Sequence, residues 1–263
     1  MSLPAVLDKT KIRRSFAAAA VSYDSLAALQ RQVGMALLEK FPLQPAAGPV
    51  LDMGCGTGFL TRQLGAANVN RALLALDIAL PMLQAARRNS RNVPADYLCA
   101  DAEKLPFAAD TVRQIYSNLA LQWCQDLAAV FADARRILMS GGQLAFSTFG
   151  PATLRELKAA WATVDGFVHV NDFYSSEQIQ DFLHTAGLTT VDVESVLYQS
   201  RYPSVLALMH ELKGIGAHNV SQARNRRPTT RGQLQQMIRH YEVSMAGQEI
   251  TASYEIIFVR ARE

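Results

Sequence analysis

The sequence predicts an α/β fold built on a doubly wound, mostly parallel sheet. Three observations predict it. An apolar run ends in an acid and alternating glycines, Pro49-Val50-Leu51-Asp52-Met53-Gly54-Cys55-Gly56-Thr57-Gly58. Two later apolar runs also end in acids, at Asp77 and Asp101. Strand-like and helix-like segments alternate through five units before residue 150, and right-handed crossovers turn that rhythm into a parallel sheet.

In chain order, Lys9 to Lys40 carries apolar residues at helical spacing (Phe16, Ala20, Leu26, Leu29, Val33, Leu37), which predicts two helices with a break near Ser22-Tyr23-Asp24. Phe41-Pro42 and residues 45–48 punctuate the entry to the first strand. After the glycine turn, Phe59 to Ala67 reads as a helix, 72–77 as a second strand and Leu80 to Asn89 as a helix. A third strand spans 95–102, a fourth spans Thr111 to Ser117, a helix spans Leu127 to Leu138, and a fifth strand spans Gln143 to Thr148 after the turn Ser140-Gly141-Gly142. The rest is mostly helical (154–164, 176–186, 203–243), interrupted by strands at Thr189 to Gln199 and Ile250 to Arg260.

Composition bounds the possibilities. At 263 residues and 49% hydrophobic, the chain can bury one substantial core. Three cysteines, at 55, 99 and 124, fit neither a disulfide framework nor a Cys-x-x-Cys metal spacing. The five histidines show no ligand spacing, so no metal is expected. No apolar stretch approaches the roughly 20 residues of a membrane span. Nothing near residue 1 reads as a leader. The expectation is a soluble, cytoplasmic protein without a membrane association.

The glycine loop carries the chemistry. Glycines at 54, 56 and 58 let the backbone turn sharply and approach a ligand closely. A dinucleotide fingerprint needs its third glycine at 59, where this chain has Phe59, and no Gly-Lys-Ser/Thr ending marks a phosphate loop. The remaining pattern, Asp-x-Gly-x-Gly-x-Gly, resembles motif I of the class I S-adenosylmethionine-dependent methyltransferases. That resemblance implies a Rossmann-like, seven-stranded, mostly parallel sheet with N-terminal helices and a helical lid insertion. It implies one methyltransferase domain over 1–263, with a helical cap at 1–45, a cofactor-binding core at 46–150, and a substrate lid plus the last two strands at 151–263. The cofactor-binding residues it implies are Asp52, Gly54, Gly56, Gly58, Asp77, Asp101, Ala102, Asn118, Leu119, Tyr23 and Gln30. Asp77 lies 25 residues after Asp52, the distance of one strand-helix-strand unit, and a carboxylate there can accept from a ribose diol or cap the following helix. Asp101 corresponds to the acid near the adenine amino group. Asn118, just past strand 4, faces the methionine part of the cofactor or caps a turn.

A narrower resemblance covers nearly the whole chain. Lys11-Ile12-Arg13-Arg14-Ser15-Phe16, Tyr23-Asp24, Leu119-Ala120-Leu121-Gln122-Trp123-Cys124, His169-Val170-Asn171, Leu212-Lys213-Gly214-Ile215-Gly216-Ala217-His218-Asn219 and Thr229-Thr230-Arg231 look like the biotin-pathway malonyl-acyl-carrier-protein O-methyltransferases. One departure is Met139-Ser140-Gly141-Gly142, where the common form is Lys-Pro-Gly-Gly. The resemblance implies methylation of the free carboxylate of a malonyl thioester, giving the methyl ester that starts pimeloyl and biotin synthesis. A carboxylate is ionised at neutral pH and needs no general base, only orienting donors or a cation. Tyr23, His169, Asn171 and Arg201 are the candidates, with Arg201 as a bidentate clamp. Alternatively, Arg201 is a solvated strand end, and His169 and Asn171 cap the helical insert. Between Arg201 and His240 seven Lys or Arg residues face the single acid Glu211, an excess larger than the chain's net charge of +3. A basic face including Lys213, Arg224, Arg226, Arg227 and Arg231 suits acidic malonyl-acyl carrier protein, or is a solvated helix surface. Nucleic acid is not expected, because no Asn/Asp-Pro-Pro-aromatic signature follows strand 4. Two other functions stay open at this level: a methyltransferase acting on a free small carboxylic acid, and a non-catalytic module that binds S-adenosyl-L-methionine.

Overall fold

A computed structural model describes residues 7–67, 71–217 and 229–263. Its centre is one seven-stranded sheet: β1 (Val50–Met53), β2 (Leu73–Asp77), β3 (Asp96–Cys99), β4 (Val112–Asn118), β5 (Leu138–Phe149), β6 (Thr189–Tyr202) and β7 (Ile250–Arg262), in the order β3-β2-β1-β4-β5-β7-β6. All neighbouring pairs from β3 to β5 are parallel, whereas β7 runs antiparallel to both β5 and β6. This is the Rossmann-like sheet the class I resemblance implies. The strand order reverses at β1 and β4, and the crevice outside their carboxyl ends is where such sheets bind ligands.

Helices cover both faces, which is why the central strands read as continuous apolar runs. On one face, residues of α3 (Ala28–Lys40), α4 (Phe59–Ala67), α7 (Arg155–Ala162), α9 (Val205–Gly214) and α10 (Arg231–Ser244) share a core with Val50, Leu73, Ala145, Ile256 and Phe258. On the other, α6 (Leu127–Ile137) and α8 (Ser176–Thr185) pack against Leu51, Leu144, Phe146, Ile257 and Val259. Three short pieces complete the ligand edge: α1 (Lys9–Ala19), α2 (Tyr23–Leu26) and α5 (Leu80–Asn89).

Among the described residues the predicted elements are present, with three differences. The N-terminal helical region is three helices, because α2 is a separate turn around Tyr23. Strand β5 starts before the glycine pair; its register with β4 jumps from Val112↔Leu138 to Gln114↔Gln143, so residues 139–142 loop out opposite Arg113. Helix α8 is not part of a lid. Its Ile179 and Leu183 are fully buried against α6, an ordinary layer helix on the face away from α7 and α9. Among the described residues, no helix is long and apolar enough to cross a membrane.

Helix α7 is tied to the sheet by an acid. Glu156 accepts from both Ser253 N (3.0 Å) and Ser253 Oγ (2.5 Å), and Ser253 is wholly buried in β7. Burial pushes the Glu156 carboxyl up, but the Ser253 bonds outweigh it and leave the pKa lowered. Glu156→Ala strands two buried donors and is expected to lower unfolding stability by about 1–3 kcal/mol. Urea denaturation at constant m measures it; a loss below about 0.5 kcal/mol shows that this tie carries little.

Candidate functional site

Beyond the carboxyl ends of β1, β2 and β4, three connected compartments open, and Tyr23 borders all of them. The largest two hold about 770 and 780 Å³ including their mouths. The first is a cleft lined by Gly54, Gly56, Asp77, Asp101, Ala102, Asn118 and Leu119, roofed by Ile12 and Phe16 of α1. The smallest compartment joins Gln30 and Arg31 to Asp52 and the glycine loop. The third, a chamber, lies between Tyr23, Gln30, Leu119, Trp123, the segment His169 to Phe173, α9 and Tyr254. It shares Phe16, Tyr23, Leu119 and Trp123 with the first.

The glycine loop is shaped for close approach. Gly54 has φ +78°, and a Cβ there would stand 2.3 Å from Ala120 Cβ. Gly56 has φ +53°, and a Cβ there would meet no atom within 4 Å, because that side of the residue is the cavity. The loop is held by Asp77, whose Oδ2 accepts from Gly56 N at 2.9 Å while Oδ1 accepts from Ala79 N at 2.8 Å. Asp77 thus orders the turn before α5 without capping it, the N-cap position being Ala79, and borders the cleft.

Asp52 is 1% exposed and accepts from Thr61 Oγ1 at 2.5 Å. Desolvation drives its pKa up to about 7, against the Thr61 bond, and drives Asp77 up to about 6 against its backbone bonds. Burial, with the negative charges of Asp77 and Asp24, also raises Tyr23, so its hydroxyl keeps its proton at neutral pH. Tyr23 thus borders all three compartments with a protonated hydroxyl.

Asp101 borders the cleft, but the chain engages both its oxygens: Lys9 Nζ lies 2.6 Å from Oδ2 and Glu103 N donates to Oδ1 at 3.0 Å. Lys9 also reaches Glu103 Oε2 at 2.7 Å, latching α1 over the rim. Asn118 Nδ2 donates to Gln30 O at 2.8 Å and its Oδ1 accepts from Ser147 Oγ at 2.8 Å, so Asn118 ties α3 to the end of β4. Leu119 follows with φ +48° and its N–H turned onto Ser147.

In the third chamber, His169 stacks on Trp161 with ring centroids 3.7 Å apart, and its Nε2 pairs with Asp165 at 2.8 Å. Asn171 is 8% exposed, and its Oδ1 is buried without a hydrogen-bond partner. Such an atom is costly to leave unpaired. Arg201 is not in the chamber. It lies on edge strand β6 with its side chain 78% exposed, paired with Glu249 at 3.1 Å. The pleat explains the correction: neighbouring Tyr202 turns inward to Tyr254, so Arg201 must turn outward. Of the basic residues, Lys213 and Arg231 are exposed, whereas Arg224, Arg226 and Arg227 lie outside the described residues. Among the described residues no cluster of His, Cys, Asp or Glu is arranged to hold a metal.

Sequence reasoning missed Asp24. It accepts from Thr57 Oγ1 at 2.5 Å and from Asn89 Nδ2 at 2.9 Å, stitching α2 to the glycine loop. The dipeptide Tyr23-Asp24 was the only available signal. Lys9 and the Phe16–Trp123 edge contact at 5.2 Å left none.

The raised pKa values of Asp52 and Asp77 have a measurable consequence. The folded pair holds protons at pH values where the unfolded chain has lost them, so it removes stability as pH rises from about 4 through 7. The ligand-free protein is expected to melt at a lower temperature at pH 7.5 than at pH 5, roughly in line with that pair. Asp52→Asn should flatten the slope; an unaltered slope assigns it to other groups.

Comparison with known proteins adds a second, independent line. The family described as "Methyltransferase domain" matches residues 51–146. The malonyl-[acyl-carrier protein] O-methyltransferase of Methylococcus capsulatus is 42% identical over 255 residues, 95% of this chain and 92% of the relative. That of Yersinia pestis is 39% identical over 260 residues, 97% of this chain and 92% of the relative. The biotin biosynthesis bifunctional protein BioHC of Cellvibrio japonicus is 41% identical over 261 residues, 98% of this chain but 51% of the relative, so the chain spans about half of that longer protein. Among solved structures, an S-adenosylmethionine-dependent methyltransferase from Mesorhizobium loti has TM-score 0.54 at 20% identity, covering 87% of this chain and 96% of the other. The YcgJ protein of Bacillus subtilis has TM-score 0.63 at 17% identity, covering 88% and 97%. At those identities the two structures speak for the fold alone.

Proposed function

The chain belongs to the malonyl-[acyl-carrier protein] O-methyltransferase family, and from that premise we propose that it methylates the free carboxylate of a malonyl thioester on acyl carrier protein, with S-adenosyl-L-methionine as donor. The observation that carries the reading is the chamber beside the cofactor cleft. It shares Tyr23 and Leu119 with the cleft, so an acceptor bound in the chamber lies beside the donor site.

The loop fits the donor: at Gly56 the cavity begins where any side chain would start. Bound there, the donor supplies a methyl group already activated by the positive charge on its sulfur. The residues read as holding it are Asp52 and the Gly54, Gly56 and Gly58 backbone, Asp77 toward the ribose, Asp101 and Ala102 toward the adenine, and Asn118, Leu119 and Gln30 toward the amino-acid end. Asp52 and Asp77 lie desolvated beside this position, where a cationic ligand favours their ionised forms.

The acceptor carboxylate is ionised without help. The chain's task is alignment and exclusion of water. Tyr23 donates a hydrogen bond from its hydroxyl at the junction, Asn171 offers its amide N–H further in, and His169, fixed by Trp161 and Asp165, forms a rigid wall. Phe149, Phe173 and Leu157 make the rest of the wall apolar. Lys213 and Arg231 are read as part of the surface that meets the acidic carrier.

Incubation with S-adenosyl-L-methionine and malonyl carrier protein is expected to add the mass of one methyl group, far faster than with free malonate. Cofactor binding without that gain sinks the reading, and equal rates on both acceptors replace it with a small-acid methyltransferase. Tyr23→Phe and Asn171→Ala are expected to lower kcat/KM by roughly 10- to 100-fold, against less than about twofold for Arg201→Ala. Gly56→Val should abolish cofactor binding, followed by calorimetry, while circular dichroism stays native.

A further inference from the structure

The chamber holds a carboxyl group that the reaction does not use. Glu211 of α9 lines it, together with Tyr254 of β7. Glu211 Oε1 accepts from Tyr202 Oη at 2.8 Å, and Tyr202 Oη lies 3.0 Å from Tyr254 Oη. Tyr202 has one proton and gives it to Glu211, so Tyr254 must give its own to Tyr202. The chain of three groups therefore ends with every hydroxyl proton committed, and it offers the chamber only acceptors: the second Glu211 oxygen and the free lone pairs of Tyr254. Among the described residues, no Lys or Arg lines the chamber and no cation pairs with Glu211.

Position adds to chemistry. Tyr23, a proton donor, borders both the cofactor cleft and the chamber, whereas Glu211 borders the chamber and neither of the compartments that contain the glycine loop. The chamber is thus polarised, with a donor at the methyl-transfer end and a carboxylate acceptor away from it. Among the described residues no Lys or Arg of the lining stands between Glu211 and a second carboxylate in a bound substrate, and like charges so placed disfavour binding. An amide N–H of the substrate's arm that reaches Glu211 would find an acceptor there.

We infer that Glu211 is a specificity-determining residue: it selects acceptors that carry one carboxylate and an amide-bearing arm, and rejects free dicarboxylates. The inference rests on the malonyl-thioester reading and extends it from the reacting end to the other end of the substrate. A malonyl group on a pantetheine arm meets both conditions, since its second carboxyl is a neutral thioester and the arm carries amides. Free malonate meets neither.

The test compares malonyl carrier protein, malonyl-pantetheine and malonate as acceptors for the wild type and Glu211→Gln. Gln keeps the shape and the Tyr202 contact but removes the charge. The variant is expected to raise kcat/KM for malonate about tenfold or more, and to raise KM for malonyl-pantetheine a few-fold with kcat within about twofold. A malonyl-pantetheine to malonate ratio unchanged within about twofold, in a variant whose melting temperature and cofactor affinity match the wild type, overturns the inference. Should the variant fold poorly, inhibition of the wild type decides: malonamate, with one carboxylate and one amide, should inhibit at least about tenfold more strongly than malonate. Equal inhibition overturns the inference. Absence of wild-type turnover on malonyl carrier protein removes the functional reading and this inference together. Normal turnover with an unchanged ratio removes the inference alone.

Discussion

Two carboxylates buried at one sheet edge set the terms for everything around them. Asp52 and Asp77 sit at the ends of β1 and β2, nearly out of reach of water, with hydrogen bonds from Thr61, Gly56 and Ala79 in place of a solvating shell. Burying charge without a counter-ion is expensive, and here the cost appears as two pKa values driven toward neutrality. A fold keeps such a pair where a ligand benefits from it. The parallel sheet makes the placement possible: its crossovers deliver successive strand ends to the same edge, and its apolar faces stabilise the strands without help from that edge.

The acceptor side is built differently, from pieces distant in sequence. Tyr23 comes from a one-turn helix, His169 and Asn171 from a segment after α7, Glu211 from α9 and Tyr254 from β7. Besides the apolar core that several of them share, polar contacts tie the N-terminal pieces in place. Ser22 Oγ donates to Gly214 O at 3.0 Å, and Asp24 accepts from Thr57 and Asn89. Lys9 clamps α1 to Asp101 and Glu103. Contacts of this kind, partly exposed and few per element, define the segments that open at low free energy. The rim at α1 and α2 is therefore held by a few polar ties, whereas Tyr202, Leu208 and Tyr254 behind the chamber belong to the buried core.

This division decides how much was legible in the sequence. The glycine loop and the acid ends of β1, β2 and β3 could be read directly, because each depends on a pattern of a few consecutive residues. Arg201 could not be placed, because the direction of a strand residue depends on the register of β6 against β7 and on the inward turn of Tyr202. Helix α8 looked like part of an insertion, yet Ile179 and Leu183 bury it against α6, a partner that helical periodicity does not identify. Asn171 was a candidate from its neighbours in sequence, but its unpartnered oxygen exists only in three dimensions. Glu211 was noticed only as the lone acid among cations. Its bond to Tyr202, nine residues earlier, crosses from α9 to β6.

The charge of the lid region changes meaning once its one acid is located. Counted along the sequence, Glu211 dilutes a basic stretch that would otherwise meet an acidic partner more strongly. In the structure it does not share the surface of Lys213 and Arg231. It turns into the chamber, held there by Tyr202, while those two cations stay exposed. The opposite charges are thus sorted by depth: positive outside, where long-range attraction would act on an acidic partner as proposed, and negative inside, where short-range repulsion would act on a bound carboxylate. The two selections act on different parts of one substrate and need not compete, because water screens the outer charges from the inner one. On the proposed reading, a small dicarboxylate attracted by the surface cations still meets a like charge at Glu211, so charge at two depths selects two different properties of one substrate.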